Sequence, residues 1–150
     1  MNDAREQLPG PAPTGPARVA CVGAVVTDPD GRLLLVQRAN DPGRGLWSVP
    51  GGRVEPGETA PAAVVREVAE ETGLQVVVTG LAGVVERPAP TGAVYVIEDY
   101  VARPARGVDP ASLRAGDDAL AAAWVPVEDL DRLPCVDGLL TALRDWGCLT

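Results

Sequence analysis

Three glutamates, Glu67, Glu70 and Glu71, stand within five positions of one another in the stretch REVAEETGL. At 3.6 residues per turn, their i, i+3, i+4 spacing gathers them on one side of a helix. Like charges so placed destabilise a helix by roughly a few tenths of a kcal/mol per pair. Two of them also fall in the last turn, where the helix dipole disfavours negative charge. Such an arrangement calls for compensation from outside the helix, and a hard divalent cation supplies it, because clustered carboxylates offer oxygen ligands at the right density. The alternative is a solvated charged face. The residues just upstream weigh against it. Gly51 and Gly52 in VPGG let the backbone approach a ligand closely. Glu58 stands at the helix start, able to accept from its free N–H groups or to join the acidic cluster. The chain contains no His, and so lacks both the commonest zinc ligand and the usual neutral-pH base. Its chemistry must rest on carboxylates, which suit Mg²⁺ or Mn²⁺.

The elements that must position these groups are legible in outline. Thr59 is a plausible N-cap, Pro61 is tolerated in the first turn, and Gly73 suits a left-handed C-terminal stop. Val64, Val65, Val68 and Ala69 form the side expected to pack on a sheet, with Arg66 free to pair with Glu70 one turn on. Upstream, RVACVGAVVT reads as a strand, DPDG as a tight turn and RLLLVQR as the returning strand. ANDPGRG is a loop leading into the extended LWSVPGG. Downstream, QVVVTGLAGVVER is a strand pair or one bent strand weakened at Gly80 and Gly83, and AVYVIEDYVAR and LAAAWVPV are further strands. VEDLDRL is a short helix, and VDGLLTALRDWG an amphipathic one ending at Gly147. Strands and helices mix without regular alternation or repeat, which predicts a mixed sheet with helices on both faces.

The whole chain sets limits. Its 150 residues suit one domain, residues 18–150, preceded by a Pro- and Gly-rich arm over 1–17 expected to be disordered. That arm has no apolar signal core and no run is long enough to span a membrane, so a cytoplasmic protein is expected. With a net charge of −8 and scattered basic residues, the surface repels nucleic-acid polymers. An anionic small molecule still binds where metal ions neutralise it. Cys21, Cys135 and Cys148, odd in number and without a CxxC, read as buried free thiols.

Gly52, five residues, Glu58, seven residues and then REVAEETGL resemble the Nudix box at every defined position: Gly52, Glu58, Arg66, Glu67, Val68, Glu70, Glu71, Gly73 and Leu74. The resemblance implies an α/β/α sandwich and Mg²⁺-dependent hydrolysis of a nucleoside diphosphate linked to another group, with Mn²⁺ as a substitute. It further implies Glu67, Glu70 and Glu71 as metal ligands, the Gly52 carbonyl as another oxygen, Arg66 orienting the carboxylates, and Glu58 behind them or as an additional ligand. The general base is then a box glutamate or a distant acid. Asp117 and Asp118, in RAGDDALAAAWV, are candidates, with Asp118 preferred. Glu98 and Asp99 lie mid-strand in YVIEDY, so by alternation one of the two faces the site.

Substrate contacts are expected from QRANDPGRGLW and the residues after it. Arg38, Arg44 and Arg53 carry guanidinium forks that suit phosphate oxygens, and one of the three is expected to touch substrate. Trp47 either stacks on a base or anchors the loop in the core. Relatives that cleave ADP-ribose tend to carry a Pro about sixteen residues past the box, and Pro90 stands sixteen after Leu74. The resemblance therefore places ADP-ribose or a similar nucleotide sugar first and a (d)NTP giving NMP and pyrophosphate second. A non-catalytic nucleotide sensor comes third, disfavoured by the intact box. Val-rich strands offer a face for a homodimer.

Overall fold

The computed structural model describes residues 15–149, so most of the expected arm over 1–17 lies outside the described residues. The elements run β1 (Arg18–Val26), β2 (Leu33–Arg38), β3 (Trp47–Ser48), β4 (Gly51–Arg53), α1 (Ala60–Thr72), β5 (Val76–Pro88), β6 (Val94–Pro104), β7 (Ala119–Val125) and α2 (Leu139–Asp145), with 3-10 turns at Pro110–Ser112 and Val127–Arg132. They form an α/β/α sandwich whose central layer is two sheets. One is mixed, in the order β4-β1-β6-β5, with β1 and β6 parallel and the other pairs antiparallel. The second, β3-β2-β7, is antiparallel.

The split corrects the expected hairpin. Asp28 closes the DPDG turn, accepting from the Asp30 and Arg32 amides and from Arg32 Nε at 2.7 Å. A bridge forms at Thr27 and Leu33, and the strands then part. Both edges of β1 are taken, by β4 and β6, so β2 turns away to pair with β3 and β7. The apolar runs in β1 and β2 are long because both faces of each strand are buried. Val22, Ala24, Val26 and Leu34 face α1 and pack with Ala63, Val64 and Val68. Val25, Leu33 and Leu35 face the opposite way, toward Leu130 and the α2 residues Leu139 and Leu143. Each fully buried aliphatic side chain contributes roughly 1.5–3 kcal/mol.

Helix α1 is capped as its sequence predicts. Thr59 accepts from the Ala62 amide at 3.2 Å, and Gly73, at φ 74°, donates to the Ala69 carbonyl. Its buried stripe is Ala63, Val64, Val68 and Thr72, whereas Val65 and Ala69 are only half-buried. Thr72 can be buried because its hydroxyl donates to the Val68 carbonyl at 2.6 Å. β5 is the bent-strand alternative, its register slipping at Gly80 and again at Gly83. Trp146 lies where a Gly83 side chain would be, 2.1 Å from its Cβ position, and so locks the bend to the chain after α2. β5 is an edge strand with Val77, Leu81 and Val84 exposed, and the expected dimer face would fall there. VEDLDRL is a 3-10 turn rather than an α-helix. The cysteines are free as expected, but only Cys21 is buried. Among the described residues no helix is long and apolar enough to cross a membrane.

Candidate active site

The box folds around Arg66. Its guanidinium grips Glu58 with both arms, Nε to Oε2 at 2.8 Å and Nη2 to Oε1 at 2.9 Å. It also donates to Glu67 at 2.8 Å, to Glu70 at 3.3 Å and to the Arg53 carbonyl at 3.0 Å. One planar fork thus ties the start of α1, its acidic face and the end of β4 together. Arg66, with the Glu55 amide, holds the Glu58 carboxyl down at about 2. Glu58 therefore sits behind Arg66 and lines neither lobe of the cleft. Glu70 is exposed and turned to Arg66.

Glu71 faces away from Arg66, onto the glycine pair, and Glu67 lies against the pair while still accepting from Arg66. β4 bonds to β1 with Gly51 opposite Gly23 and Gly52 opposite Val22. A Cβ on Gly51 would sit 2.2 Å from the Val22 carbonyl, so that position demands glycine, while one on Gly52 would press on the Glu67 carboxylate at 2.5 Å. The Gly51 amide donates to Glu71 at 2.9 Å. Burial pushes the Glu71 carboxyl up to about 8; Glu67 and Asp118 add to this, while the Gly51 amide and Arg38 oppose it. Burial likewise raises Glu67, against the pull of Arg66.

Asp118 arrives from far along the chain through the loop before β7. The Arg114 amide donates to the Thr72 carbonyl and the Gly116 amide to the Glu71 carbonyl, pinning the loop to the end of α1. Gly116 lies so close that a Cβ would stand 2.0 Å from the Glu70 carbonyl oxygen. Asp118 then lines the cleft, and Asp117 does not.

That cleft has two lobes sharing Arg38, Ser48, Val49, Gly51 and Gly52. The acidic lobe, about 410 Å³, is lined by Glu67, Glu71, Asp118, Gln37 and Asn40. The second, about 260 Å³, has Val85, Ile97 and Leu139 as walls and Asp99, Arg87, Arg53 and Tyr95 as its polar groups. Arg53 lies over the Tyr95 ring at 5.7 Å. Of the expected arginines, Arg38 borders both lobes and Arg53 one, while Arg44 is exposed and lines neither. Trp47 packs with Leu133 and Val136 against the α2 side of the core, the anchoring alternative. Asp99, not Glu98, faces the site; Glu98 accepts from the Tyr100 hydroxyl instead. The sequence reading missed Tyr95, Arg87 and Gly116. Gly23 had a visible signal, a glycine interrupting an apolar strand.

Among the described residues, no three His, Cys, Asp or Glu side chains already stand at metal-binding distances. The donor chemistry nevertheless fits a hard divalent ion. Glu67, Glu71 and Asp118 offer oxygen alone, and Glu71 is half-buried beside like charges that a cation would relieve.

This α/β/α arrangement, with an acidic helix laid across a glycine-paired strand, is that of a Nudix fold. A family profile described as the NUDIX domain matches residues 17–143, and the chain belongs to that family. It is 39% identical over 108 residues to an ADP-ribose pyrophosphatase of Methanocaldococcus jannaschii, covering 72% of this chain and 62% of that protein. It is 40% identical over 118 residues to the human 8-oxo-dGDP phosphatase NUDT18, covering 77% of this chain but 35% of that one. The solved structure of a MutT NUDIX hydrolase from Burkholderia pseudomallei matches with a TM-score of 0.72 at 31% identity, over 85% of this chain and 96% of the other.

Proposed function

We propose that the protein hydrolyses the diphosphate linkage of a nucleotide with the help of a divalent ion, Mg²⁺ or Mn²⁺. The observation that carries this is the wall the two lobes share: Arg38 and Gly51–Gly52 line both the acidic lobe and the neighbouring lobe of about 260 Å³. Glu67 and Glu71, with the Gly52 carbonyl, would hold the ion, and Glu70 would join by exchanging its exposed pairing with Arg66. The ion would supply charge neutralisation at the phosphate oxygens and an acidified water. The chain's own residues do the rest. Arg66 fixes the box carboxylates. Arg38, at the junction of the lobes, suits a phosphate oxygen. Asp118, which lines the same lobe as Glu71, would take a proton from attacking water. Arg53 and Tyr95 form the rim that a nucleoside would pass.

For the substrate, the geometry supports a nucleoside di- or triphosphate ahead of ADP-ribose, the reverse of the order expected from the sequence. Pro90, which pointed to ADP-ribose, sits in the β5–β6 turn and lines neither lobe. The likeness to the Methanocaldococcus jannaschii ADP-ribose pyrophosphatase keeps that substrate as the second reading. The test is product analysis with Mg²⁺ over GTP, dGTP, 8-oxo-dGTP, 8-oxo-dGDP, ATP and ADP-ribose, for wild type and Glu71→Gln. Release of a nucleoside monophosphate with inorganic phosphate or pyrophosphate, lost by roughly 10²-fold or more in folded Glu71→Gln, is the expected result. Full turnover in that variant would remove the metal-site assignment.

A further inference from the structure

We propose that Asp99 reads the base of the bound nucleotide and selects a purine whose pairing edge carries two N–H donors, the guanine type, over adenine. This rests on the nucleotide reading above and assigns a specificity residue within the same cleft.

Asp99 stands at the centre of the mixed sheet, flanked on β1 by Gly23 and on β5 by Gly83. Gly23 has no side chain to cover it, and a Cβ there would lie 1.9 Å from Asp99 Oδ1, while the space over Gly83 is taken by the Trp146 ring. The carboxylate thus fills the space that Gly23 leaves, in the lobe walled by Val85, Ile97 and Leu139. It is 6% exposed, and no hydrogen-bond donor among the described residues contributes to its environment. Arg87 of β5 acts on it at longer range, while its own guanidinium is committed to the Asp137 carbonyl.

Among the described residues no side-chain oxygen is both fully buried and unpaired, so the Asp99 carboxylate, with no donor from the fold, stays open to this lobe. Here it is left with acceptor capacity aimed into the lobe. An ionised carboxylate accepts only, at two oxygens side by side. Guanine presents N1–H and an N2 amine side by side on its pairing edge, and 8-oxoguanine presents the same pair. Both oxygens of Asp99 would then be satisfied at once. Adenine presents one donor beside the N1 lone pair, which would face an oxygen and leave it unpaired. A site built to satisfy such a group rejects the ligand that cannot do so.

The experiment measures equilibrium binding of GMP, IMP and AMP by calorimetry, and the kcat/KM ratio of GTP to ATP with Mg²⁺, for wild type and Asp99→Asn. IMP keeps N1–H and lacks the N2 amine. Wild type is expected to bind GMP about 10- to 100-fold more tightly than AMP, with IMP between them. Asp99→Asn, whose amide offers one donor and one acceptor, is expected to bring the GMP-to-AMP ratio to near one or below. Equal binding of GMP and AMP by wild type, binding of neither, or a ratio unchanged in Asp99→Asn would each overturn the assignment. The wild-type ratio decides even if the variant folds poorly. Selective binding without hydrolysis of any nucleotide would uphold Asp99 while refuting the hydrolase reading, so the two failures are separable.

Discussion

Replacing Asp99 by Asn should stabilise the protein, and by an amount that depends on pH. Burial raises the Asp99 carboxyl from its ordinary 3.8 to about 6, with Arg87 opposing the rise. The other titratable group that senses it is Cys148, beyond α2, whose thiol it helps to raise; Gly23 on β1 offers no charge. The folded protein therefore binds this proton more tightly than the unfolded chain. Between about pH 3.8 and 6 it holds more protons than the unfolded chain, so stability falls as pH rises and then levels off above the folded value. At about 1.36 kcal/mol per tenfold change in proton affinity, the gap amounts to about 3 kcal/mol. Asn carries no charge to bury. The variant should match wild type to within roughly 0.5 kcal/mol at pH 4 and exceed it by up to about 3 kcal/mol at pH 7 to 8. In a domain of this size that corresponds to a Tm higher by roughly 6–12 °C. Urea unfolding of both proteins across pH 4 to 8, without nucleotide, measures the difference directly. A difference that stays flat with pH, or a variant less stable at pH 8, would show that the Asp99 charge is already satisfied in the fold. That would refute the reasoning behind its assignment to the base.

Two further substitutions probe how the acids are delivered. Gly116→Ala places a Cβ 2.0 Å from the Glu70 carbonyl, so the loop must retreat by about 1 Å and carry Asp118 with it. Turnover should fall by roughly 10²-fold, while Gly80→Ala, whose Cβ meets nothing within 4 Å, leaves it unchanged; equal effects of the two would detach Asp118 from the reaction. Arg66→Lys keeps the charge but cannot grip Glu58 with two arms while also reaching Glu67 and the Arg53 carbonyl. Its kcat should drop by roughly tenfold or more, accompanied by a weaker requirement-curve for Mg²⁺, and a wild-type metal titration would contradict the role given to the arginine hub.

The family, the acidic helix and its caps were legible in the chain because each depends on neighbours in sequence. Thr59, Gly73 and the i, i+3, i+4 glutamates act within a few turns, where helix geometry fixes who meets whom. The apolar runs of β1 and β2 announced strands buried on both faces for the same reason. Distant meetings were not legible. The direction in which Glu70 turns depends on Arg66 gripping four partners at once. Asp118 reaches Glu71 because Gly116 lets two backbones touch across some forty-five residues of chain. The choice of Asp99 over Glu98 follows from the register of β6 between two glycine-bearing strands. Alternation along one strand says that neighbours face opposite ways, but which face looks onto a cleft is set by the strands and helices packed around it.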